Sequence, residues 1–174
     1  MTMNTPKTMK KMISLFVRNR PGVLSHVASL VTRRGYNVES IAAGPTENET
    51  RTRITLVVSG QEHALEQVTK QLSKLIDCIE VRDLKYSEAV TGEVALVTVM
   101  VEPDKRPEVM SLANTFGAKI ADLDNKSLTL QVVGSSQMVD MVITGLAPYR
   151  IKAMARTGLV ALPMDSRENR ETLL

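Results

Sequence analysis

Hydrophobic positions alternate along MISLFVR, Met12 to Arg18, with Ile13, Leu15 and Val17 on one face, and this alternation predicts a half-buried strand. The next stretch, NRPGVLSHVASLVTRRG, changes period. Val23, Leu24, Val27, Leu30 and Val31 fall on one helical face, with Pro21 suited to the first turn and Gly35 to the stop. A strand from Asn37 to Gly44, a polar turn (PTENET) and a second strand from Arg53 to Val58 follow. After Gly60 a second helix carries Leu65, Val68, Leu72, Leu75 and Ile76 as its apolar stripe, and a strand from Cys78 to Leu84 closes the unit.

Strand, helix, strand, strand, helix, strand is the ferredoxin-like plan, an α+β arrangement with two helices on one face of an antiparallel sheet. The second half repeats it. Val94 to Val101 reads as a strand, and Pro107 to Phe116 as a helix with Val109, Leu112, Ala113 and Phe116 aligned. Lys119 to Leu123 and Ser127 to Val133 form a hairpin around Asp124-Asn125. A helix bearing Val139, Val142, Ile143 and Leu146 and a strand from Arg150 to Arg156 complete the copy. An offset of 82 carries Pro21 and Gly35 onto Pro103 and Gly117, and an offset of 74 carries Gly60 onto Gly134. The expected organisation is a tail over 1–10, a first βαββαβ domain over 11–85, a linker over 86–92, a second over 93–157 and a tail over 158–174.

Composition narrows the function classes. With 43% hydrophobic and 24% charged residues the chain has the balance of an ordinary globular protein. Aromatics are 3% with no Trp, and the +3 net charge is spread among both signs, so neither stacking platforms nor a basic stripe suggests nucleic acid. The one cysteine, Cys78, sits in an apolar strand pattern and reads as core filler. No run reaches the ~18 apolar residues of a membrane span, and the first ten residues do not form a signal peptide, so a cytoplasmic location is expected.

Catalysis is not expected. The two histidines, His26 and His63, stand apart, with no CxxC, HExxH or phosphate-cradling glycine loop. Asp122-Leu123-Asp124, running from a strand into a turn, could hold a hard cation weakly, but ordinary turn chemistry is the favoured account. No metal ligand and no catalytic residue is assigned. The informative difference lies between the two copies. The first has Asn19-Arg20-Pro21-Gly22 at its strand-to-helix junction and Asn37 opening the next strand; the second has Pro103-Asp104 and Lys119. A glycine beside unsatisfied helical N–H groups lets a carboxylate approach, and two amides can both donate and accept, as an amino acid's charged ends require. Asn19 as a helix cap, with Gly22 and Asn37 serving turns, fits the same spacing. The second copy, with Asp104 in place of Gly22, is not expected to bind that anion.

These residues carry a resemblance. NRPGVLSHVASLVTRRGYNVESIAAGPT resembles the amino-terminal ACT domain of the acetohydroxyacid (acetolactate) synthase small subunit. EQVTKQLSKLIDCIEVRDL is similar to that domain's second helix and last strand, and ARTGLVAL to the stretch closing the family's second domain. The match runs from about Lys11 to Leu162; the second half agrees in pattern more than in words. The resemblance implies a non-catalytic regulatory subunit. Its separate large catalytic subunit would carry thiamine diphosphate, FAD and magnesium, this chain holding no cofactor. It further implies activation of that partner, feedback inhibition by valine, leucine or isoleucine, and a homodimer formed through ACT domains with the effector at their interface. Asn19, Gly22 and Asn37 match the family's effector positions, and Arg20, Pro21, Val23, Leu24 and Val38 are expected to line the pocket, with Asn37 from the same or the neighbouring subunit. Phe16, facing away from the strand's buried side, is one candidate for a subunit contact, with ordinary packing in the dimer the favoured account. The alternative is a free-standing amino-acid-responsive regulator of another enzyme or of transcription, which would need a DNA-reading helix pair.

Overall fold

The computed structural model describes residues 9–33 and 36–164. Gly35, read above as the first helix stop, and most of the two tails lie outside them. The chain divides into two units, the first running to Thr91 and taking in the chain again from Leu159, the second spanning Gly92 to Gly158.

In the first unit the elements are β1 (Met9–Arg18), α1 (Val23–Arg33), β2 (Asn37–Pro45), β3 (Arg51–Gly60), α2 (Glu62–Leu72) and β4 (Cys78–Leu84). The strands pair antiparallel in the order β2-β3-β1-β4, the ferredoxin-like order, which leaves β2 and β4 at the edges. Ile13, Leu15 and Val17 of β1 and Ile54, Leu56 and Val58 of β3 meet Val23, Val27, Val31, Leu65, Val68 and Leu72 of the helices in one core. Each such side chain, fully buried, contributes roughly 1.5–3 kcal/mol. The 3.6-residue stripes therefore do fix the helix faces, with two departures. Ile76 falls beyond the end of α2 and is 85% exposed, because the chain has already left the helix. Leu24 is 47% exposed at the start of α1, where no neighbouring turn covers it.

β1 is not half-buried: Met12, Ser14 and Phe16, on its other face, are buried as well. The cover for Met12 comes from residues the sequence reading assigns to a tail. Val160–Pro163 form a strand, β9, whose Ala161 amide donates to the Thr55 hydroxyl at 3.2 Å. Leu159 and Ala161 pack there with Met12, Val57 and Ala89. The expected linker is likewise ordered, as a single 3-10 turn (Tyr86–Glu88) leading into β5 (Ala89–Met100), with which β9 pairs.

The second unit repeats the plan with α3 (Arg106–Thr115), β6 (Lys119–Leu123), β7 (Ser127–Gly134), α4 (Ser136–Gly145) and β8 (Arg150–Arg156), its strands ordered β6-β7-β5-β8. Ala95, Val97, Val99, Leu128, Leu130 and Val132 pack under Val109, Ala113, Val139, Val142 and Leu146. Ser135 caps α4, accepting from the Met138 amide at 3.2 Å. Glu93, 4% exposed, is held by Arg156 (2.6 and 2.9 Å) and by the Ser136 hydroxyl (2.8 Å). Arg156 also reaches Asp140 at 2.8 Å.

Candidate ligand-binding cleft

β1 delivers Asn19 and Arg20 to the top of the first unit, and the turn Pro21-Gly22 swings the chain into α1. Gly22 adopts φ +87°, the left-handed region that a side chain strains. It therefore stands just before the helix and serves the turn, while still leaving the helical N–H groups beside it open to approach. Asn19 does not cap α1. Its Nδ2 donates to the Glu49 carbonyl at 2.9 Å and its amide to the Thr50 carbonyl at 2.7 Å, so the residue ties the β1 end to the β2–β3 loop and keeps its Oδ1 as an available acceptor. That loop is itself pinned: Asn48 Oδ1 accepts from the Thr50 amide at 2.9 Å and hydroxyl at 2.6 Å.

With Asn19 turned to the loop, the start of α1 stays uncapped. The Val23 amide makes a long bond of 3.4 Å to Arg20 O and the His26 amide bonds Gly22 O at 3.0 Å. The Leu24 and Ser25 amides between them have no acceptor among the described residues. Free N–H groups and the helix dipole make this end electropositive. Beside it opens a cleft of about 280 Å³, at the lower end of the range for small-ligand sites. It is lined by the chain from Val17 to Arg20, by Val23 and Leu24 of α1, and by Ala43, Pro45, Thr52 and Ile54 of the β2–β3 pair, so polar and apolar groups meet there. Arg20 extends toward Asp77 at 3.9 Å.

Of the residues expected at the site, the structure brings Asn19, Arg20, Val23 and Leu24 to the cleft, with Pro21 and Gly22 in the turn at its rim. Within one chain Asn37 and Val38 do not join them. Arg18 faces Arg51 at one end of β3 while Asn37 faces Ser59 at the other, eight residues on, or ~26 Å at 3.3 Å per residue. Asn37 Nδ2 donates to Ser59 Oγ at 3.3 Å. Val38 faces Val58 and packs against the core below the helices, so its isopropyl group is occupied there instead of lining the cleft. Ala43, Pro45 and Ile54 were not anticipated. They reach the cleft through the pairing of β2 with β3, Ala43 against Ile54 and Pro45 against Thr52, which no local pattern announces.

The second unit closes the same junction. Arg106, which the repeat aligns with Leu24, sends Nη2 to the Asp124 carbonyl at 2.6 Å and the Asn125 carbonyl at 2.5 Å. A guanidinium thus bridges the start of α3 to the β6–β7 turn. Among the described residues no three His, Cys, Asp or Glu side chains gather as a metal site, and no helix is long and apolar enough to cross a membrane. Burial pushes the Cys78 thiol up, away from the thiolate a nucleophile needs.

Two ferredoxin-like units follow one another along the chain, the first with an open strand-to-helix junction and the second with that junction latched by Arg106. The matching families are specific: residues 13–80 match the acetohydroxyacid synthase small subunit-like ACT domain, and residues 92–165 the small subunit of acetolactate synthase. The chain belongs to the acetolactate synthase small subunit family. It is 43% identical to a probable acetolactate synthase small subunit of Archaeoglobus fulgidus over 92% of this chain and 100% of that one. It is 40% identical to the Bacillus subtilis acetolactate synthase small subunit over 92% and 94%. The crystal structure of the small subunit from Thermotoga maritima superposes with a TM-score of 0.81 at 32% identity, covering 89% of this chain and 97% of that one.

Proposed function

We propose that this chain is the regulatory subunit of an acetolactate synthase, binding a branched-chain amino acid, valine foremost, at the α1 cleft and passing that signal to a separate catalytic subunit. The observation that carries the reading is the uncapped start of α1 beside an amino-acid-sized cleft lined by both polar and apolar residues. The Leu24 and Ser25 amides receive the ligand carboxylate, and Asn19 Oδ1 accepts from its ammonium group. The side chain rests against Val23, Ala43 and Ile54. Burying its three carbons contributes about 2 kcal/mol, enough to separate valine from alanine. Leucine and isoleucine differ from valine by one methylene, worth only ~1–3 kcal/mol.

Asn37 enters from a second copy. β2 is an edge strand, and antiparallel pairing of two β2 edges about a two-fold axis near Ile41 sets each Asn37 beside the other copy's Pro45, at the rim of its cleft. The site is then complete only in the homodimer, and a ligand bridging two copies favours one arrangement of the pair over another. A coupling of ~1–3 kcal/mol suffices for feedback inhibition. The thiamine diphosphate, FAD and magnesium are assigned to the catalytic subunit, which this chain activates when the cleft is empty. Calorimetric titration with valine, wild type against Asn37→Ala, tests the reading. Binding by wild type that the variant loses supports it; a wild type silent to valine, leucine and isoleucine at millimolar concentration overturns it.

A further inference from the structure

On the face of the first sheet turned away from the helices, β9 packs over the end that carries Met12 and Val57. At the other end the register puts Phe16 of β1 together with Arg18, Arg51 and Arg53. The Arg51 and Arg53 guanidinium carbons lie 5.3 and 5.1 Å from the Phe16 ring centroid, so one aromatic ring carries two cations and is only 8% exposed beneath them. Arg53 Nη1 also donates to Ser14 Oγ at 3.1 Å.

What sets this cluster apart is the missing charge. Nearby cations are paired, Lys10 with Glu39 and Lys11 with Asp83 at 2.8 Å, whereas Arg18, Arg51 and Arg53 have no carboxylate partner among the described residues. Arg51 Nη1 is buried and lacks any hydrogen-bond acceptor. A buried donor without a partner is costly, and three adjacent cations repel one another; an arriving anion relieves both. The forks are already held by stacking and by Ser14, so little rotamer freedom remains to be lost. On the neighbouring edge strand Gly44 faces Arg53 with open space where a Cβ would stand, which leaves the approach clear.

We propose that this arginine plate on Phe16 is a docking surface for an acidic, carboxylate-bearing segment of a protein partner, the catalytic subunit of the synthase. The choice of that partner rests on the subunit reading above. Carboxylates fit the guanidinium forks in bidentate fashion, and the stacked ring beneath keeps the pair out of water on one side. Arg18 also borders the effector cleft, but Arg51 and Arg53 are not among its lining residues, so these two positions separate docking from sensing by mutation.

The test uses the full-length protein and the cognate catalytic subunit, with affinity measured by sedimentation for wild type, Arg51→Glu/Arg53→Glu and Arg51→Lys/Arg53→Lys. Valine calorimetry on all three reports folding and the effector site. Charge reversal is expected to weaken association at least tenfold, with the lysine pair between, and wild-type affinity to fall as salt is raised from about 0.05 to 0.3 M. Valine binding stays unchanged throughout. Association within threefold of wild type in the charge-reversed protein, or indifference to salt, overturns the plate. A wild type that does not associate with the catalytic subunit also overturns it, while the valine titration still judges the effector cleft independently.

Discussion

Gly22→Asp puts a carboxylate at the turn that opens the cleft, and its two effects can be sized separately. A Cβ at Gly22 meets nothing within 4 Å, so the steric cost is nil and the strain is that of φ +87° alone. A side chain held in that region costs ~1–2 kcal/mol of stability, less for Asp than for a branched residue. The second effect is electrostatic. At ~5 Å from the ligand carboxylate, with an effective dielectric near 20, the repulsion is ~3 kcal/mol, and salt screening over a Debye length of ~8 Å halves it. Valine should therefore bind roughly 10- to 100-fold more weakly. Gly22→Ala carries the same backbone strain without the charge and should bind valine within about fivefold of wild type. Calorimetric titration and thermal unfolding on both variants read the two effects apart. Valine affinity in Gly22→Asp within threefold of wild type would refute the placement of the carboxylate at the start of α1. Equal damage from Gly22→Ala would move the cause from charge to backbone.

Two further outcomes follow from the packing. The Arg156 hydrogen bonds hold the Glu93 carboxyl below the usual carboxylate range, so this pair's stability is present above the unfolded value of about 4.3 and is lost as pH falls through the folded value. Arg156→Ala leaves a buried carboxylate with Ser136 alone, costs the second unit ~3 kcal/mol near neutral pH, and reverses the sign, so that the variant gains stability on acidification. Thermal unfolding across that pH range checks both; a variant with the wild-type slope would show that Arg156 does not govern Glu93. Deleting residues 159–174 strips β9 from Met12 and Val57 and should destabilise the first unit by roughly 3–5 kcal/mol, read as a lowered denaturant midpoint. An unchanged midpoint would mean that β9 is not part of that unit's core.

The repeat, the element order and the helix faces were legible in the sequence because period is a local property. Val27 and Val31, or Val139 and Val142, declare a buried face by spacing alone, and the offset between copies declares a tandem fold before any contact is known. The asymmetry between Gly22 and Asp104 likewise pointed to the first junction as the open one. The sequence did not reveal that Arg106, at the place of Leu24, latches the second.

Tertiary structure decided the rest, and the reason is the same each time: strand pairing joins residues far apart in the chain. Ala43 and Ile54 become a cleft wall only because β2 runs beside β3, and that register carries Asn37 to the opposite end of the sheet from Asn19. β1 reads as a one-faced strand because its polar-side neighbours come from more than thirty residues away, Arg53 stacked on Phe16 and Ala161 near Met12. Alternation encodes which face a side chain takes; what lies over that face depends on long-range pairing that local spacing does not contain.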